Sequence, residues 1–177
     1  MGRSLIYVIF AICILMAGLL LAICLAEPVA NAGGIPHPDF SGMQSGGDGA
    51  ARLAHIGYLA FSLQCLLLLL IVCLAALGVA EKRRNAEFMA YMCGTLLLSL
   101  LAWWQMYSGH QQFLETGVTE YFMGFPTPTS WQVYGTWFGA IPLIVLYSLG
   151  FRKFIYTEED EAEFQQLLSE KNQNTEQ

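Results

Sequence analysis

Long apolar runs alternate with short polar breaks along this chain. Residues 4–26 contain no charged side chain, and as a helix they rise about 34 Å, more than the ~30 Å hydrocarbon core of a bilayer. A second run covers 53–80, with five leucines unbroken from Leu66 to Leu70. The third, 86–108, has Glu87 as its one charge, at its start, and the fourth covers 131–151. This pattern predicts an all-α integral membrane protein of four transmembrane helices. Residues 1–156 form the transmembrane domain, with spans at about 4–26, 53–80, 86–108 and 131–151, and 157–177 form a tail. The polar break at 81–85 is so short that the second and third helices must make an antiparallel hairpin.

The breaks have their own logic. Pro36, Pro38, Gly46 and Gly47 mark 27–52 as a loop. A second loop follows the third run at Gly109, and its aromatic segment around Tyr121 and Phe122 is expected to lie against the membrane interface. In the tail, Thr157 is an N-cap with Asp160 three residues later, and the carboxylates beside it suit the positive end of a helix dipole. Phe164, Leu167 and Leu168 then form an apolar stripe, so a short amphipathic helix is expected. A cleavable signal peptide competes for the first run, since Arg3 precedes it and Ala30-Asn31-Ala32 resembles a cleavage site. The apolar stretch exceeds the roughly 7–15 residues of a signal core, which favours a retained helix.

Composition agrees with a membrane setting. Charged residues make up 12% of the chain and the hydrophobic set 55%, too little polar surface to cover a soluble globule. The net charge of −6 is uneven, with Glu158, Glu159, Asp160, Glu161 and Glu163 crowded into the tail. Basic residues close the apolar runs instead. With four alternating helices, Arg3, Lys82, Arg83, Arg84, Arg152 and Lys153 fall on one side and Arg52 alone on the other. By the positive-inside rule both termini and the tail helix are cytoplasmic (N-in/C-in), and the two longer loops face outward.

Little in the chain suggests catalysis. There is no nucleophile triad, no phosphate-binding glycine loop and no basic stripe for nucleic acid. The five cysteines sit inside apolar runs without ligand spacing, and His37 with Asp39 is a sparse metal set. Two features remain. Gly135 and Gly139 form a Gly-x-x-x-Gly in the fourth run, a surface for close helix contact with this chain's own helices or with a partner. Thr95, Ser99, Trp103, Tyr107 and His110 share one face of the third helix. His55 on the second helix reaches the same outer depth as His110, so the pair is a candidate for haem b or quinone binding. Trp103 and Trp104 crowd that end, so no haem or other cofactor is expected.

The segment Tyr121-Phe122-Met123-Gly124-Phe125-Pro126, followed by Trp131 and the Gly135 helix, resembles the small hydrophobic subunits that accompany bacterial sodium/solute symporters. In those subunits a Gly-Phe-Pro element precedes a final apolar helix. The likeness covers about 121–151, and the typical family members are shorter, with two spans, so it assigns no functional residue here. It implies a non-catalytic accessory subunit of a bacterial inner-membrane complex that transports solute. Gly135, Gly139, Phe164, Leu167 and Leu168 are the expected interface with a larger membrane protein, and the bilayer is the other partner. The alternative is an electron-transfer membrane subunit using His55 and His110.

Overall fold

The computed structural model describes residues 2–27, 29–30, 34–47 and 49–175, of which the side chains at 2, 49, 50, 52, 53, 174 and 175 are excepted. Asn31 and Ala32 of the cleavage-like motif, and the end of the tail at 176–177, thus lie outside the described residues. The chain is mostly helical. Helix α1 (Gly2–Leu25), α2 (Gly49–Leu77) and α3 (Ala86–Thr116) are long and apolar enough to cross a membrane, with mean hydropathies of 3.1, 2.7 and 1.4 in their most apolar windows.

The fourth apolar run is helical but interrupted. It starts as α4 (Thr127–Ser130), widens into a π turn (Trp131–Gly135), continues as α5 (Thr136–Ser148) and ends in a second π turn (Phe151–Ile155). A π turn accommodates one extra residue, and here the Trp131 ring lies over Gly135, where an added Cβ would come within 2.7 Å of it. Helix α5 continues through Pro142, whose ring faces Gly94 of α3.

Helix ends follow local chemistry more than hydrophobicity. Asn85 caps α3 by accepting the Phe88 N–H at 2.9 Å. The helix then runs eight residues past the expected Ser108, to Thr116, because polar Gln111 and Gln112 are good helix formers. It stops at Gly117, which takes φ 67° and returns its N–H to the Phe113 carbonyl at 2.8 Å. Gly109, expected to open a loop, is helical and receives the Pro128 ring, 3.1 Å from where a Cβ would stand.

The second loop folds into a two-residue hairpin, β3 (Tyr121–Phe122) against β4 (Phe125–Pro126). Its tip, Met123 and Gly124, takes φ 50° and 87°, the left-handed pair that a tight hairpin demands. Ser130 pins this hairpin to the helix below by donating toward the carbonyls of Phe122 (2.8 Å) and Phe125 (3.1 Å). In the first loop, β1 (Ile35–Pro36) pairs with β2 (Gln44–Ser45).

The helices alternate in direction. One end of the bundle holds the tightest packing, where Val72 and Ala76 of α2 and Val79 just beyond it meet Phe88 and Met92 of α3, Leu146 of α5 and Phe154, with Leu5 of α1 against them. At the opposite end, the Trp103 ring stacks on Phe61 (5.8 Å, 13°) and its Nε1 donates to the Phe61 carbonyl at 3.2 Å. Helix α1 packs along α2 but leaves Ile6, Phe10, Ile14, Leu21 and Leu25 exposed, with Ile12 buried. Such an apolar rod suits lipid.

Between α3 and α5 the contact is closest. An added Cβ on Gly139 would lie 2.9 Å from Ser99 Oγ and 3.2 Å from Ser99 Cα, and one on Gly135 would lie 3.1 Å from Ala102 Cβ. Gly139→Leu should therefore destabilise the bundle by about 1–3 kcal/mol, the usual cost of overpacking. Gly18→Leu, where a Cβ meets nothing within 4 Å, should not. Unfolding in mixed detergent–SDS micelles, followed by circular dichroism, compares the two.

Candidate functional site

Two places gather polar chemistry, one at each end of the bundle. At the end that carries the tight core, a 3-10 turn (Glu81–Arg83) joins α2 to α3. Arg83 projects from it with its side chain only 11% exposed. Its guanidinium donates to the Ile155 carbonyl at 2.7 Å, to Thr157 Oγ1 at 3.1 Å and to the Asp160 carboxylate at 2.5 Å. Asp160 also accepts the Thr157 N–H at 3.0 Å, which completes the expected cap of α6 (Glu158–Thr175). One arginine thus ties the first turn of α6 to the α2–α3 turn. Arg152 pairs with Glu161 and Lys153 with Glu87 nearby. Arg84 donates to the Val79 carbonyl at 2.9 Å, just beyond the end of α2, and to the Leu77 carbonyl, one of that helix's free acceptors, at 3.4 Å.

Charge shifts follow these contacts. Hydrogen bonding from Arg83, then from the Thr157 backbone, holds the Asp160 carboxyl far below the usual carboxylate range. Arg83 and Arg152 are pushed up, chiefly by their bonds to Asp160 and Glu161. The basic cleft beside them, about 500 Å³, includes Lys82, Arg83, Arg152 and Lys153. Three of those four cations are engaged in the ion pairs just described.

The tail helix presents the expected stripe. With 3.6 residues per turn, Asp160, Glu161, Phe164, Leu167 and Leu168 fall within roughly 120° of one another. The stripe therefore extends the face that α6 turns toward the bundle. Phe164 and Leu167 are nonetheless 52% and 58% exposed, and Leu168 is exposed too. The helix is held at its first turn and leaves its apolar face uncovered beyond it.

At the other end, a cavity of about 330 Å³ opens between α2, α3 and α4. Phe61, Trp103 and Tyr107 wall it with rings, and His110 and Gln132 add polar groups. His110 Nε2 is buried there and has no hydrogen-bond partner among the described residues. His55 is exposed. It lies about half a turn around α2 from Gly57, Ala60 and Phe61, which line the cavity.

Other candidates take plainer places. Gly135 and Gly139 are buried against Ala102 and Ser99, so the chain's own α3 fills the contact they permit. His37 Nδ1 accepts the backbone N–H groups of Asp39 (3.1 Å) and Phe40 (3.3 Å) and so braces a turn. No cluster of three metal-binding side chains occurs among the described residues. Sequence reading missed the Arg83 clamp, because Asp160 already had a local role as cap and the arginine lies 77 positions away. It also missed Phe61 and Gln132 as cavity walls, since neither carries a motif.

The chain matches no family model, no curated protein and no solved structure.

The Asp160 shift has a definite sign. A carboxylate with a depressed folded pKa contributes stability that is fully present well above its unfolded value near 3.9 and is lost as pH falls from there through the lowered folded value. Amide protection across 158–164 should therefore be unchanged between pH 7 and pH 6. Asp160→Asn should lower it tenfold or more at both, as read by hydrogen exchange. Equal protection in the variant would remove the clamp from the account.

Proposed function

We propose that this chain is a non-catalytic accessory subunit of a bacterial inner-membrane complex that transports solute. In this reading the broken fourth helix is a span, both termini are cytoplasmic, and the Arg83 clamp lies at the inner face. The carrying observation is α6, an acidic helix fixed at one end with an apolar stripe that no described residue covers. A mobile tail gains little from a stripe. A clamped one presents it at a set angle, which lowers the ordering cost of binding.

Charge favours protein over lipid as what covers it. Glu158, Glu159, Glu161 and Glu163 repel an anionic inner leaflet. The cytoplasmic ends of a polytopic membrane protein are rich in Lys and Arg, and these complement the tail. The resemblance of 121–151 to symporter subunits points to the same class of partner.

The test is native mass spectrometry of the full-length protein extracted in mild detergent. A complex with a larger polytopic protein is expected, and Phe164→Ser, Leu167→Ser and Leu168→Ser combined should release that protein while the melting transition stays put. A chain that emerges alone from native membranes, or a complex indifferent to the triple variant, contradicts the reading.

A further inference from the structure

We propose that the cavity between α2, α3 and α4 binds the headgroup of a lipid-soluble quinone or quinol. The inference needs only the bundle and a bilayer, and it stands apart from the accessory role. Its starting point is His110 Nε2, a buried nitrogen without a partner. Buried polar groups are nearly always bonded, so an orphan on a residue that lines a cavity points to a partner supplied from outside the chain. Around it the walls are aromatic and apolar, from Phe61, Trp103, Met106 and Tyr107, with the Gln132 amide as a second polar group. A few polar groups in an apolar pocket orient a small ring and fix its identity.

Size and place narrow the class. At about 330 Å³ the cavity is at the small end for ligand sites and admits a substituted single ring. Its surroundings include Tyr58 and Trp104, both exposed, the amphipathic aromatics that populate a membrane interface. A ring delivered from lipid, with an isoprenoid tail left outside, meets both conditions. A neutral imidazole nitrogen either accepts or donates according to tautomer, so the same atom serves a quinol hydroxyl or a quinone carbonyl. Those two forms are the chemistry that this one unpaired nitrogen can recognise.

The experiment titrates the full-length protein in lipid nanodiscs with decylubiquinone and reads tryptophan fluorescence, with Trp103 in the cavity wall as the near reporter. Saturable quenching is expected. His110→Phe should weaken it tenfold or more, His110→Gln should stay within about threefold by keeping a hydrogen bond, and His55→Ala should leave it unchanged. Quenching that only tracks quinone partitioning into lipid overturns the proposal, as does saturable binding indifferent to His110→Phe. Should that variant fail to fold, photolabelling of the unaltered protein with an azidoquinone decides. Label within 103–110 supports the site, and label confined to α1 overturns it.

Discussion

The close approach of α5 to α3 is the contact on which the rest of this molecule depends. Inside a bilayer the tails of lipid are as apolar as leucine, so helices associate through tight van der Waals contact and a few polar bonds. Gly139 against Ser99 and Gly135 against Ala102 provide that contact, and Tyr147 adds a bond to the Ala75 carbonyl at 2.8 Å. With α5 fixed on α3, Pro128 seats against Gly109 and the hairpin settles over the start of the helix. At the far end the same seating delivers Phe154 to Phe88, ring to ring at 5.9 Å. That placement brings Ile155 and Thr157 within reach of Arg83.

The two ends of the bundle then differ in kind. One is a closed apolar plug sealed by ion pairs, in which Arg83, Arg152 and Lys153 each pair with an acid from another element. The other is stacked from aromatic rings and retains a cavity lined in part by His110, whose Nε2 has no partner among the described residues. The closed, ion-paired end suits a helix that is held out from the bundle. The end that retains the cavity suits a small molecule.

Much of this was legible beforehand, for reasons that can be named. The first three helices followed from uninterrupted apolar length, and the cap at Thr157 and Asp160 followed from residue type and spacing. The polar face of α3 was visible as a period, and Thr95 and Ser99 do lie in the interior while Trp103, Tyr107 and His110 reach the cavity. Boundaries were less legible, since Thr116 continues a helix that hydrophobicity alone ends at Ser108. The π turn at Trp131–Gly135 left no sequence signal, because it arises from how one indole packs over one glycine. Long-range pairs such as Arg83 with Asp160 were hidden for a similar reason: each partner already had a sufficient local reading.

Taken together, these features describe a helical bundle with three helices long and apolar enough to cross a membrane, and a clamped tail helix whose exposed stripe is proposed to meet another protein. Photocrosslinking in intact cells tests that orientation most directly, with p-benzoylphenylalanine placed at Leu167 on the stripe or at Gln166 on the far side of α6. The account expects an adduct with one polytopic membrane protein from position 167 and none from position 166. Equal adducts from both positions, or adducts with lipid alone from position 167, would contradict it.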